Sequence, residues 1–467
     1  MGNDRFTRRR ARRSLLGLLA VLALILAACG NADDDSAGGD SDGTTTTSSA
    51  DSGESGGEAP VKLTGVPGVT DSEIHVATLG TNSNNPLGTC VLKCFGEGIK
   101  AYFAWRNSEG GVHGRKLVVT KEVDDELANN QAKALEIISA NDTFATFSAA
   151  QVASGWADLA KNDIPTYVWA INMKEMSGNE QIFGNREVVC ISCSSRPSAY
   201  LASVAKAKKV ATLGYGVSEN SKECAEGAAD SIEKYSDDIG GAEAVYTNAN
   251  LQFGLPNGIG PEVSAMKKEG VDFIMGCLDL NGMKTLAQEL QRQGIRKDVK
   301  MAHANTYDQK FVKDAAGLFD GDIVQVSFRP FEADPGDSQL AQFNEWMEKQ
   351  DFTPTEMAID GWINADTFYE GLKAAGPDFD RKKVIDSSNE KLTEFTAGAL
   401  IPPIDWSRQH TAPTEDDLAT HGPKQECMAA VEVVDGEFEI VGSKAKPFYC
   451  WPGENRDWVD PTQESFE

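Results

Sequence analysis

From Glu73 to Ala302 the sequence switches again and again between short apolar runs and stretches of helical spacing. No other feature of the chain limits its fold as much. Runs of β-type residues occur at Glu73–Leu79, Lys116–Val123, Phe144–Phe147, Pro165–Trp169, Lys209–Gly214, Glu243–Thr247, Phe273–Gly276 and Val299–Ala302. A further run, Glu187–Cys193, also reads as a strand. Helical spacing fills the gaps at Gly98–Asn107, Asn129–Ala140, Trp156–Lys161, Cys224–Tyr235, Pro261–Glu269 and Gly282–Gln293. In the first of these helices, Ile99, Tyr102, Phe103 and Trp105 mark the apolar face. Such alternation predicts βαβ units and parallel sheets covered on both faces. The strands are too many for one compact domain of about 150 residues. Two Rossmann-like lobes account for them. Open parallel sheets bind ligands beyond the C-terminal strand ends, so two facing lobes make a cleft.

The first 60 residues read differently. Arg5, Arg8, Arg9, Arg10, Arg12 and Arg13 precede an apolar run, Leu15–Ala28, that stops at Cys29. A basic segment, a short apolar run and small residues make a secretory signal. The run is shorter than the roughly 20 residues a spanning helix needs. Leu26-Ala27-Ala28-Cys29 resembles the bacterial lipobox, which implies that Cys29 is lipidated and becomes the mature N-terminus. Arg12-Arg13 leaves twin-arginine and general secretory export both open. Gly30–Pro60 is Gly, Ser, Thr, Asp and Glu with almost nothing to bury, and predicts a flexible tether. The folded part is then extracytoplasmic and membrane-anchored through lipid.

Charge agrees with this. The chain holds 44 Lys plus Arg against 71 Asp plus Glu, a net of −27. Losing the signal removes six basic residues and one acid, leaving −32. That balance excludes nucleic acid as a partner, since phosphate needs a cationic footprint. Apart from Cys29 there are eight cysteines: Cys90, Cys94, Cys190, Cys193, Cys224, Cys277, Cys427 and Cys450. An even number outside the cytoplasm reads as disulfides, with connectivity not deducible from sequence. Closeness favours Cys90–Cys94 and Cys190–Cys193, with Cys224–Cys277 and Cys427–Cys450 then remaining.

Specific words go beyond the rhythm. Gly68–Ile74 opens the body, and Tyr102-Phe-Ala-Trp-Arg-Asn-Ser-Glu-Gly-Gly-Val-His-Gly-Arg-Lys116 joins a helix to a strand. Asp124-Asp125, Ile164-Pro165, Gly270–Ile274 and Gly361–Asp366 follow. Over about 67–441 these resemble type I periplasmic binding proteins, in particular the leucine/isoleucine/valine-binding family that serves ABC importers. The resemblance implies two lobes hinged by three crossovers. Lobe one would take 67–193 and 324–420, lobe two 194–323 and 421–467, after a 1–28 signal and a 29–66 linker. The stretch Ser388–Pro423 reads as an irregular, proline-rich cover.

The same resemblance implies ligand contacts from strand-end loops. In lobe one these are Asn84 and Pro86, then Ser148, Ser154 and Gly155 at a helix start, then Trp169 and Ala170. Ser154 serves equally as a plain helix cap. In lobe two they are Tyr215, Asp279, Asn305 and Tyr307. Trp362 walls the pocket, or else is simply core. Amino-acid binders of this family place an acid in lobe two against the ligand's ammonium. The loop Ala302–Asp308 lacks it at the central place, leaving Asp279 or Asp308 as substitutes. Amides and small carboxylates therefore stand beside branched-chain amino acids.

Catalytic motifs are thin. No HExxH, GxSxG or P-loop is present, Gly214-x-Gly216 lacks its third glycine, and Asp320-Gly-Asp322 lacks the rest of a calcium loop. The expectation is a cofactor-free, metal-free, non-enzymatic solute-binding lipoprotein whose partners are a small molecule and an ABC permease. Presentation of the ligand to a receptor, and a secreted hydrolase, are the alternatives.

Overall fold

The computed structural model describes residues 61–453 and 455–467, without the side chains of 418 and 419. The expected signal peptide, the lipidation site Cys29 and the linker up to residue 60 lie outside the described residues. Residues 61–66, expected as linker, lie against the body. Leu63 and Val66 pack on the core, and Arg115 Nη2 donates to the Val61 carbonyl at 2.7 Å.

The chain first runs β1 (Glu73–Gly80), α1 (Leu92–Ser108), β2 (Lys116–Asp124), α2 (Asn130–Ala140), β3 (Ala145–Ala149), α3 (Trp156–Lys161), β4 (Thr166–Val168), α4 (Met173–Met176) and β5 (Ile182–Gly184). These strands form one parallel sheet in the order β2-β1-β3-β4-β5. It continues with α5 (Arg196–Ala205), β6 (Lys209–Tyr215), α6 (Glu219–Lys234), β7 (Glu243–Leu251), α7 (Gly260–Glu269), β8 (Phe273–Cys277), α8 (Leu280–Arg292), β9 (Lys300–His303), α9 (Gln309–Asp314) and β10 (Ile323–Val326). Three helices follow: α10 (Leu340–Lys349), α11 (Glu356–Ala375) and α12 (Arg381–Lys391). After α13 (Leu418–His421) come β11 (Gln425–Val434), β12 (Glu437–Ile440), β13 (Phe448–Pro452) and β14 (Thr462–Glu464). The second sheet runs β14-β13-β11-β10-β9-β8-β6-β7, with β12 paired to β11. It is parallel from β7 to β10 and antiparallel beyond. The architecture is thus α/β with two sheets.

Strands β1, β3, β4, β5 and β8 are buried nearly end to end, as parallel strands covered on both faces must be. Helices α1 and α11 cross so closely that side chains are excluded. A Cβ on Gly98 would lie 1.8 Å from the Ala358 carbonyl oxygen, and one on Gly361 2.1 Å from that of Phe95. Each helix thus offers a glycine to the other's backbone. That contact returns α11 to the first sheet although 170 or so residues of the second intervene. Among the described residues no helix is long and apolar enough to cross a membrane.

All four disulfides form as the shorter pairings suggested: Cys90–Cys94, Cys190–Cys193, Cys224–Cys277 and Cys427–Cys450. Two expectations are corrected. Glu187–Cys193 is not a strand; the strand is β5, five residues earlier. Extended chain rises about 3.3 Å per residue, so residues three apart lie about 10 Å apart. The Cys190 and Cys193 Cα atoms are 5.3 Å apart, which only a turn allows. The boundary drawn between 323 and 324 also falls inside β10. That strand pairs with β9 and β11, so the chain leaves the second sheet after Val326.

Candidate functional site

Loops at the C-terminal ends of the two sheets meet each other. Asn220, at the start of α6, donates its side-chain N–H to the Ile171 carbonyl beyond β4. Lys174 pairs with Glu219 at 3.1 Å. Gly88, beyond β1, sits on Asn281 at the start of α8. Glu356, opening α11, feels the charge of Asp308 beyond β9. The candidate site is the set of groups these loops hold between them.

The loop after β1 is secured from beneath. Asp124 accepts the N–H groups of Asn82 and Ser83, and Asp125 accepts the Thr81 hydroxyl at 2.9 Å. This is the local reason for the Asp-Asp word after β2. Asn84 stands exposed with φ 56°, and Pro86 is half-buried. Asn85 holds the loop to the next one through Gln151 Nε2, at 2.8 Å.

After β3, Ser148 is fully buried and its hydroxyl accepts the Trp156 indole N–H at 2.8 Å. Ser154 is exposed and caps nothing; the N-cap of α3 is Gly155. The Gly155 N–H is already taken by Asn130 Oδ1 at 2.9 Å. The expected helix-start anion site therefore has its first donor occupied. Trp169 is half-buried beyond β4. The Ala170 N–H donates to Asn185 Oδ1 at 2.8 Å.

On the second sheet, Tyr215 donates its hydroxyl to Asp279 at 3.0 Å and packs on Phe253. Asp279 also caps α8 by accepting the Gly282 N–H. Burial lifts the Asp279 carboxyl above its ordinary range, against those two hydrogen bonds. Asn305 is exposed. Tyr307 is enclosed by Phe328, Phe331 and Phe438, with its hydroxyl donating to Glu332 at 2.7 Å. Trp362 is fully buried against Tyr102, Trp105 and Phe343, its N–H on Gln339. Tyr307 and Trp362 thus spend their faces on packing.

Sequence reasoning missed one group at this junction. Asn185 and Arg186 directly follow β5. Asn185 bridges three elements, accepting from Ala170 and donating to Asp360 of α11 at 2.5 Å. Arg186 Nε donates to the Ala170 carbonyl at 3.1 Å. Glu356 and Asp360 lie one turn apart on α11 and face Arg186 electrostatically. Burial pushes both carboxyls upward; for Glu356 the charge of Asp360 adds to it, and Arg186 opposes both shifts. The signal for this cluster was present in the sequence. Reading Glu187–Cys193 as the strand moved its C-terminal end past Arg186 and hid it.

Among the described residues no group of His, Cys, Asp and Glu could hold a metal ion. The geometry instead suits capture of a molecule by two sets of loops that approach from opposite sheets.

A family profile described as Periplasmic binding protein matches residues 75–437. No curated protein matches the chain by sequence. Solved structures share its fold. A fatty acid ABC transporter substrate-binding protein from Thermomonospora curvata is 17% identical with a TM-score of 0.60, covering 80% of this chain and 93% of its own. A branched-chain amino acid transporter substrate-binding protein from Streptococcus pneumoniae, solved with isoleucine, is 16% identical with a TM-score of 0.60, covering 79% and 98%. A solute-binding protein of an ABC transporter from R. palustris, solved with 4-hydroxybenzoate, is 17% identical with a TM-score of 0.59, covering 84% and 98%.

Proposed function

The chain belongs to the periplasmic binding protein family, and from that premise we propose that it is an extracytoplasmic solute-binding protein of an ABC importer. It captures a small polar molecule between two lobes: a branched-chain amino acid, an amide or a small carboxylate. Lobe one is the layer built on the first sheet with α10–α12, and lobe two the layer built on the second. The observation that carries this reading is the meeting of strand-end loops from both sheets around Arg186, Glu356 and Asp308. A ligand seated there touches both lobes, so its binding free energy favours closure. The molecules named for the structural neighbours, a fatty acid in one transporter's name and bound isoleucine and 4-hydroxybenzoate in two others, span the chemistry to be tried first. The role is capture and delivery, not catalysis.

Cys29 carries the lipid in this reading, and Gly30–Pro60 is the leash between membrane and body. Mass spectrometry of the mature N-terminus tests it: a diacylated Cys29 is expected, and a Cys29→Ala chain is released from membranes. An unmodified residue N-terminal to Cys29 in the mature protein refutes the anchor.

Binding itself is tested by thermal shift on the full chain. A ligand at about 100 times its Kd adds about 2.7 kcal/mol of stability. No shift across amino acids, amides, aromatic acids and fatty acids contradicts solute capture.

A further inference from the structure

We propose that Arg186 is the anchor for the ligand's charge, and that the ligand is therefore a carboxylate. The inference rests on the solute-capture reading and narrows it.

Arg186 differs from six other arginines of the fold. Arg106, Arg196, Arg296 and Arg329 each sit on a carboxylate, at 3.1, 2.7, 2.6 and 2.8 Å. Arg115 and Arg381 are taken up by backbone carbonyls. Among the described residues the Arg186 side chain makes one hydrogen bond, from Nε to the Ala170 carbonyl. Among the described residues no carboxylate lies within ion-pair distance of it, although Glu356 and Asp360 are near enough to act on it through space.

The anchored Nε fixes the plane of the guanidinium. Its two terminal nitrogens then present parallel N–H groups at the junction of the loops. That fork matches the two oxygens of a carboxylate, and the pairing is bidentate and charge-assisted. Arg186 is only half-buried, so its terminal nitrogens stay open to an arriving anion, and the pairing they make there is charge-assisted. The acids opposite are weak rivals. Burial favours their neutral forms, and the Asp360 carboxyl is already held by Asn185. A local cation is also what an anionic solute needs, because a chain of net charge −27 repels it at a distance.

An amino acid, an aromatic acid and a fatty acid all bring the same carboxylate, and the test separates them. Isothermal titration of the full chain uses isoleucine, 4-hydroxybenzoate and octanoate, beside 4-hydroxybenzamide and octanamide. The wild type is expected to bind at least one acid and to prefer 4-hydroxybenzoate or octanoate to its amide if either acid binds. Arg186→Gln is expected to weaken the bound acid about 30-fold or more. Arg186→Lys, which keeps the charge but loses the fork, falls between. Arg292→Gln, which breaks an exposed pair with Glu289, leaves binding unchanged. Equal acid affinity in the wild type and in Arg186→Gln overturns the assignment. So does a wild type that binds amides as well as acids, and that result leaves solute capture standing and settles the matter even if Arg186→Gln fails to fold. A wild type that binds none of the five probes and no other small molecule overturns capture and anchor together.

Discussion

Around the first sheet, Phe147, Tyr167 and Phe183 stack on three neighbouring strands at 5.1 and 5.4 Å, and Phe368 of α11 closes over them. The central strands of the second sheet carry Leu213, Ile274 and Met301 instead. There Cys224 of α6 is tied to Cys277 at the end of β8, and Cys427 of β11 to Cys450 of β13. Similar βαβ winding is thus reinforced by a ring stack across neighbouring strands in one layer and by disulfides that join separate elements in the other. The antiparallel extension makes the second of these links available. Cys427 and Cys450 face each other in register with Cα atoms 4.2 Å apart, the close spacing of a non-hydrogen-bonded antiparallel pair. The first sheet has no antiparallel pair to staple in this way.

The contrast can be broken from either side. The largest effect is expected from Phe147→Ala, whose ring touches Phe103, Tyr167 and Phe368. It should cost about 5 kcal/mol, the upper end for truncating a buried aromatic, measured by denaturant unfolding. Cys224→Ser with Cys277→Ser frees a loop of 53 residues and should cost about 4 kcal/mol by chain entropy. Cys427→Ser with Cys450→Ser frees 23 residues and should cost about 3 kcal/mol. Reductant should therefore loosen the second-sheet layer first, read by hydrogen exchange, while the ring stack stays protected.

Acid should do the reverse, with a smaller effect. His410 packs on Phe183 and accepts or donates a hydrogen bond at Asn389, and burial holds its pKa down to about 4. A histidine depressed in the folded state contributes stability above pH 6.5, and that stability is lost as pH falls towards 4. Discounted for partial exposure, the loss is about 2 kcal/mol. His410→Gln should flatten the stability profile over that window; an unchanged profile would show that His410 does not set the acid limit.

Much of this was legible before any coordinates. Period-two and period-3.6 patterning placed most strands of both parallel segments, because buried strands such as Ala145–Ala149 leave little choice of residue. The Gly361–Asp366 word was informative because Gly361 stands where two backbones touch. Legibility failed where a short strand competed with a longer apolar run. Ile182–Gly184 is three residues, whereas Val188, Val189 and Ile191 made the stronger pattern nearby. That slip of five residues concealed Arg186. The sequence leaves Tyr307 and Trp362 open between pocket wall and core. An aromatic at a strand-end loop or on a helix carries no mark of which way it faces, and both turned to the core. Among the antiparallel strands, only β11 has a partner across the long insertion, in β10; β12, β13 and β14 pair with near neighbours and went unread because their runs are short.

That insertion has a consequence for how the chain is made. β10 ends at Val326, and its partner β11 begins at Gln425. Between them the chain must build α10–α12 on the first sheet. During synthesis β10 is therefore finished while its antiparallel neighbour does not yet exist, and it waits as an unpaired edge. Contacts of such separation close slowly. The layer around the first sheet is complete earlier, so the two halves should acquire protection in sequence rather than together, the one with the scattered disulfides last.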